Sequence, residues 1–301
     1  MRNRGEFHVL DPILLPWALP IACLIREKTM RTRKLLKKIA VPRELDRHLD
    51  QMPICVGESG WDPYGFNMDG TKVAVSMLRW LYDYYFRVEA FGLENIPPKG
   101  PVLIISNHSG QLPFDGLLIG LAMATNPHGA RAPRAMVERF APTVPFVGNW
   151  LNMVGAVVGD PVNCVSMLGR GEAVIVFPEG VRGAGKLYHK RYQLQRFGNG
   201  FMHIAMTHKC PIVPVGVVGC EESMPAPFHL KTLAKILGFP YIPFTVPFPL
   251  PTKVVLHFGE PMHFTGDIMN EDQVTLKVEK VKESINGLIA RGLSKRKGWF
   301  H

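Results

Sequence analysis

Four short runs of apolar, largely β-branched residues stand out along the chain: PVLIIS (101–106), GEAVIVFPEG (171–180), CPIVPVGVVG (210–219) and TKVVLHFGEP (252–261). Each is bounded by Gly or Pro, and continuous apolar runs of this length predict strands buried on both faces. Between them DGLLIGLAMAT (115–125), GDPVNCVSMLGRG (159–171) and GNGFMHIAMTHK (198–209) predict helices. Strands alternating with helices point to an α/β fold with a mixed, largely parallel central sheet flanked by helices. The tail, NEDQVTLKVEKVKESINGLIARGL (270–293), spaces Val274, Val278, Val281, Ile285, Leu288 and Ile289 at helical intervals. It predicts a helix that lays one apolar stripe on the body. KVAVSMLRWLYDYYFRV (72–88) predicts another, whose aromatic stripe suits a core or, as a second reading, a membrane interface.

The amino-terminal part follows a different pattern. VLDPILLPWALPIACLI (9–25) is apolar, but it falls short of the ~20 residues of a spanning helix, and Asp11, Pro12, Pro16 and Pro20 interrupt it. The same prolines spoil it as the core of a secretory leader. REKTMRTRKLLKK (26–38) follows, with seven Lys or Arg against one Glu. Such a run is either a solvated helix face or, next to a Trp-containing apolar segment, a monotopic anchor on an anionic leaflet. Residues 41–70 are mixed and rich in turn formers, as in ICVGESGWDPYGFNMDG (54–70), and read as a linker. The expected division is therefore a membrane-associating helical appendage and linker over 1–70, and an α/β domain over 71–301. The end, KRKGWFH (295–301), could touch a membrane or fray.

Thirty-five Lys plus Arg against twenty-five Asp plus Glu give a net charge of +10, which favours nucleic acid, anionic lipid or phosphorylated ligands. The basic run has no interleaved aromatics and no recognition motif beside it, so nucleic acid is set aside. Five cysteines without a CxxC suggest neither a disulfide scaffold nor a zinc site. No G-x-S-x-G, P-loop or H-E-x-x-H is present, which removes the common hydrolase, nucleotide and zinc-protease signatures.

Two polar loops carry the chemistry. In SNHSGQLPFDG (106–116), His108 follows a predicted strand, and Asp115 stands where a helix should begin. A His oriented by a carboxylate is suited to take a proton from a hydroxyl. Taken alone, though, Asp115 is equally a helix N-cap and His108 a polar strand-end residue. VIVFPEGVRG (174–183) repeats the design, with Glu179 after an apolar strand and Arg182 offering donors suited to phosphate.

Asn107, His108 and Asp115, then FPEGVR (177–182), then CPIVPVG (210–216) occur in the order of the blocks of the glycerol-phosphate and lysophospholipid acyltransferase family, and over residues 90–260 the chain resembles these PlsC-like enzymes. The resemblance implies an O-acyltransferase at a membrane surface that uses no metal and no cofactor beyond acyl-CoA or acyl carrier protein as co-substrate. His108 would deprotonate the acceptor hydroxyl and Asp115 would orient it. Asn107, Glu179, Gly180 and Arg182 would hold a glycerolipid or lysophospholipid acceptor. The expected location is peripheral or monotopic, with the site facing the cytoplasm.

Two departures qualify this. Six residues separate His108 from Asp115 where the family has four. The family's acceptor-phosphate arginine falls on Pro161 in GAVVGDP (155–161), which removes a cation and predicts a weaker demand for a phosphorylated acceptor, with Arg170 or Lys186 as substitutes. LGFPYIPFTVPFPLPTKVVLHFGEP (237–261) also resembles the branch with neutral glycerolipid or lysolipid acceptors. The alternative is a catalytically silent lipid-binding relative, its lengthened loop no longer catalytic.

Overall fold

The computed structural model describes Thr32 and residues 36–300, apart from 55, 59, 110, 111, 140–146, 239 and 240. The apolar stretch 9–25 and most of the basic run lie outside the described residues. Seven strands form the central sheet: β1 (Glu89–Phe91), β2 (Val102–Ser106), β3 (Pro133–Val137), β4 (Ala156–Val158), β5 (Ala173–Val176), β6 (Ile212–Val218) and β9 (Val255–Phe258), in the order β1-β9-β6-β2-β5-β3-β4. Only the β6–β9 pairing in this sheet is antiparallel. A two-residue hairpin, β7 (Phe228–His229) and β8 (Pro243–Phe244), stands apart between β6 and β9 in sequence.

Side chains alternate across β2, so Val102 and Ile104 join one core layer while Leu103 and Ile105 join the other. The first layer holds Leu118 and Ile119 of the helix Phe114–Ala124, with Val75 of the helix Met68–Trp80. Against the second lies the terminal helix Glu271–Lys295, and all six residues of its expected stripe are buried. The helix Met68–Trp80 starts earlier than its apolar pattern, because the Asn67 side chain accepts from the Gly70 N–H. A π-helical turn, Leu81–Tyr85, continues it.

Residues 41–70 are not a linker. Leu45 and Leu49 of the helix Arg43–Leu49, with Met52 and Phe66, are buried in the first core layer. Lys72 is buried against Asp46 and Asp50, and Asp62 reaches into the sheet to Arg134. The turn formers have local jobs: Asp62 Oδ1 accepts from the N–H groups of Tyr64 and Phe66. The body therefore begins near Val41, not at residue 71.

Strands β1, β3 and β4 were not legible in the apolar pattern. β3 carries Arg134 near its start, fully buried and neutralised by Asp62 and Glu172, so its polarity hides a central strand. β4 is entered through Gly155 at φ +101, where a Cβ would lie 2.1 Å from the Pro133 carbonyl oxygen.

Candidate active site

In parallel sheets functional groups collect at the carboxyl ends of strands, and β2 and β5 are neighbours there. Asn107 follows β2, fully buried; its amide donates to Val217 O at 3.0 Å and its carbonyl accepts from Val217 N–H at 2.8 Å. Asn107 therefore straps the chain to β6 and presents no polar atom to an acceptor, which corrects its expected role in binding. The next residue, His108, is thereby fixed. Its backbone N–H donates to Glu179 Oε1 at 2.9 Å, joining the two polar loops.

The six-residue gap does not keep the pair apart. His108 Nδ1 lies 2.6 Å from Asp115 Oδ2. Asp115 is fully buried, and its carboxylate also accepts from the N–H groups of Ser109 and Gly116, each at 2.7 Å. It stands second in the helix Phe114–Ala124, with Pro113 in the capping position, so the expected N-cap role is corrected. A carboxylate in a first helical turn is still favoured by the helix dipole. Facing a carboxylate, Nδ1 of neutral His108 carries the proton, which leaves the lone pair on Nε2.

The His108 ring stacks on Phe177 with centroids 4.4 Å apart, and its side chain is 13% exposed. Burial disfavours the imidazolium, but the charge and hydrogen bond of Asp115, helped by Glu179, outweigh it. The His108 pKa is raised above 6.5 despite an opposing contribution from Lys186.

Glu179, expected to hold the acceptor, is buried and committed to the protein. Oε1 accepts from His108 N–H and Oε2 from Gln195 N–H at 2.7 Å, with Lys186 Nζ 3.5 Å away. Both carboxylate oxygens are thus engaged by the protein, and Oε1 anchors the backbone of His108. Gly180 turns the chain at φ +56 into the short helix Val181–Ala184. Gly183 allows the closest approach: a Cβ there would lie 2.6 Å from Glu179 Cβ and 2.8 Å from His108 Cβ. Arg182 is exposed, with Nη2 donating to Arg196 O at 3.3 Å, so it remains at the rim.

Behind Glu179 runs a chain of charges. Lys186 Nζ donates to Glu221 Oε1 at 2.8 Å, and Tyr192 N–H donates to Glu221 Oε2 at 2.7 Å. Tyr192 Oη then donates to Glu222 Oε1 at 2.9 Å, and Arg296, at the end of the terminal helix, reaches Glu222 Oε2 at 2.6 Å. Burial raises the Glu221 pKa against the pull of Lys186.

Neither proposed substitute for the missing cation is at hand. Lys186 belongs to this network, while Arg170 pairs with Glu172 at 2.9 Å at the other end of the sheet. Pro161 is the first residue of the helix Pro161–Gly169, capped by the Asp160 side chain. Arg139, 81% exposed, lies 3.7 Å from Asp160 and supplies a cation there that the apolar pattern missed. The signal was available: Glu138 and Arg139 follow β3 as His108 and Glu179 follow their strands, but β3 was itself disguised. Among the described residues no group of three or more His, Cys, Asp or Glu could hold a metal ion.

Comparison with known proteins adds four findings. A family model described as Acyltransferase matches residues 87–218. A Mycobacterium leprae (strain TN) protein described as uncharacterized is 37% identical over 259 residues, covering 81% of this chain and 70% of that one. A Bos taurus protein named DGAT1/2-independent enzyme synthesizing storage lipids is 28% identical over 238 residues, covering 76% and 67%. Among solved structures, the 1-acyl-sn-glycerophosphate (LPA) acyltransferase PlsC from Thermotoga maritima superposes with a TM-score of 0.52 at 18% identity, over 76% of this chain and 83% of that one, which is a likeness of fold.

Proposed function

Because the chain belongs to the acyltransferase family, we propose that it is a membrane-associated O-acyltransferase, moving a fatty acyl group from acyl-CoA or acyl carrier protein to a hydroxyl of a glycerolipid or lysophospholipid. The observation that carries this reading is the 2.6 Å contact of His108 Nδ1 with a buried, doubly hydrogen-bonded Asp115. Nε2 of neutral His108 takes the proton of the acceptor hydroxyl. The oxygen attacks the thioester carbonyl, the carbon–sulfur bond breaks, and the imidazolium returns its proton to the departing thiolate. Asp115 positions the ring and stabilises the imidazolium, so no acyl-enzyme is required.

Pro161 in place of an arginine supports a neutral acceptor, and so does the storage-lipid name of the bovine relative. Membrane association at the cytoplasmic face rests on the amino-terminal apolar and basic segments. Among the described residues no helix is long and apolar enough to cross a membrane.

The test offers acyl-CoA and acyl carrier protein donors to the purified protein with lysophosphatidate, lysophospholipid, monoacylglycerol or diacylglycerol, and follows release of the free thiol. Release that depends on a neutral acceptor is the expected result. A preference for lysophosphatidate overturns the neutral acceptor; no release from either donor replaces the enzyme with the silent lipid-binding relative.

A further inference from the structure

The segment between β6 and β9 is unlike the rest of the surface. Residues 224–252 contain two lysines and no Asp or Glu, in a chain with twenty-five acids. Phe228 and Phe244 stack across the β7–β8 hairpin at 4.7 Å, and both remain exposed. The helix Lys231–Leu237 buries Ala234 and leaves Leu233 and Ile236 in water beside Lys231 and Lys235, with Ile236 74% exposed. Phe248 is 78% exposed. A soluble surface seldom gathers large apolar side chains in this way unless something covers them.

The patch is continuous with a second element and with the site. Tyr85 Oη donates to Pro249 O at 2.5 Å, and the Tyr85 ring meets that of Trp80, itself 58% exposed, at 5.9 Å. Asp83, near Trp80 in the chain, is paired with Arg79 at 3.1 Å. In the other direction Tyr241 lies over Gly185, where a Cβ would be 3.0 Å from its ring. Gly185 is two residues past Gly183, the residue that abuts His108. Burial pushes the Tyr241 phenol up to about 12, and the charges of Asp115 and Glu138 add to it, as its place beside the site requires.

We infer that the exposed side chains of Phe228, Leu233, Ile236, Phe244 and Phe248, with Trp80, form the face that sinks into an anionic lipid bilayer and presents its acceptor lipid to His108. This rests on the membrane-associated acyltransferase reading above and adds the surface that makes the contact. Amines among exposed aliphatic and aromatic side chains, in a segment without Asp or Glu, match the headgroup boundary, where lysine stems lie along apolar surface and their charges meet anionic lipid. A second copy of the chain fits poorly, since a two-fold contact would set Lys231 and Lys235 against their own counterparts.

Hydrogen exchange of the full chain with and without vesicles of phosphatidylcholine containing about a third phosphatidylglycerol tests this at the surface itself. Exchange over 228–248 is expected to slow about tenfold or more on binding, because a two-residue hairpin and a seven-residue helix open readily in water. Sedimentation with vesicles but unchanged exchange there overturns this surface and leaves the membrane reading standing; no sedimentation overturns both. The double variant Leu233→Asp, Ile236→Asp changes exposed side chains only and should keep the wild-type melting temperature. Its turnover is expected to fall about tenfold on long-chain acceptor in vesicles and to stay unchanged on a monomeric short-chain acceptor. Equal loss on both acceptors, or loss on neither, overturns the assignment.

Discussion

Two buried charge clusters sit at opposite ends of the same parallel strands. At the amino ends, Asp62, Arg134, Glu172 and Arg170 form a closed group, with Arg134 Nε 2.6 Å from Glu172 and its guanidinium over the Phe66 ring at 4.7 Å. At the carboxyl ends, His108, Asp115, Glu179 and Lys186 are joined as tightly, but His108 keeps one ring edge for a substrate. Buried charge alone therefore does not mark a site. The amino-end cluster pins residues 41–66 to the sheet, while the carboxyl-end cluster uses the same kind of pairing to hold His108, the base proposed above.

Substitution should separate the two. His108→Ala is expected to lower turnover about 10²–10⁴-fold while the protein still folds. Asp115→Asn should cost a similar factor, because its amide would donate to Nδ1 and leave the proton on Nε2. Near-normal thiol release in either variant would remove the base assignment. Arg134→Met should do the reverse. It takes one of two guanidinium partners from the buried carboxylates Asp62 and Glu172 and is expected to cost about 3–5 kcal/mol in urea unfolding, with no movement of the pH–rate profile of the protein that remains folded.

Smaller effects sharpen the difference. With its pKa raised, His108 is neutral only at higher pH, so kcat/KM should rise with pH through a midpoint above 6.5. Lys186 opposes the imidazolium, so Lys186→Met should move that midpoint to higher pH with a several-fold loss of rate, and Lys186→Arg should restore it. A purely structural Lys186 would change stability and leave the midpoint in place. Last, the raised pKa means that the His108–Asp115 pair adds stability fully present below 6.5 and lost as pH rises through the folded value. The stability gap between wild type and His108→Ala should therefore narrow as pH increases, which urea titrations at several pH values would show.

Much of this was legible in the chain. β2, β5, β6 and β9 are buried on both faces and are written almost entirely in apolar residues, Ser106 and His257 excepted; the terminal helix is half-buried and shows its stripe. β3 escaped because its arginine is neutralised by Asp62, 72 residues earlier, and Glu172, 38 residues later. Residues 54–70 looked like a linker because glycines and aspartates serve equally in loose chain and in tight, buried turns. His108 and Glu179 were visible as polar residues ending apolar strands. That Lys186 and Gln195 meet Glu179 was not, since a side chain's pairing has no local trace.

The sequence by itself determined the alternation of strands and helices, the two polar loops and the order of blocks that marks the family, because each is set by hydrophobic pattern and residue type over a few positions. Only the tertiary structure decided that six intervening residues still bring His108 to Asp115, that the side chains of Asn107 and Glu179 are engaged by backbone groups of the protein, and that the chain from residue 41 belongs to the body. Those outcomes depend on which neighbour satisfies each buried donor and acceptor, and neighbours distant in sequence become known only when the sheet is assembled.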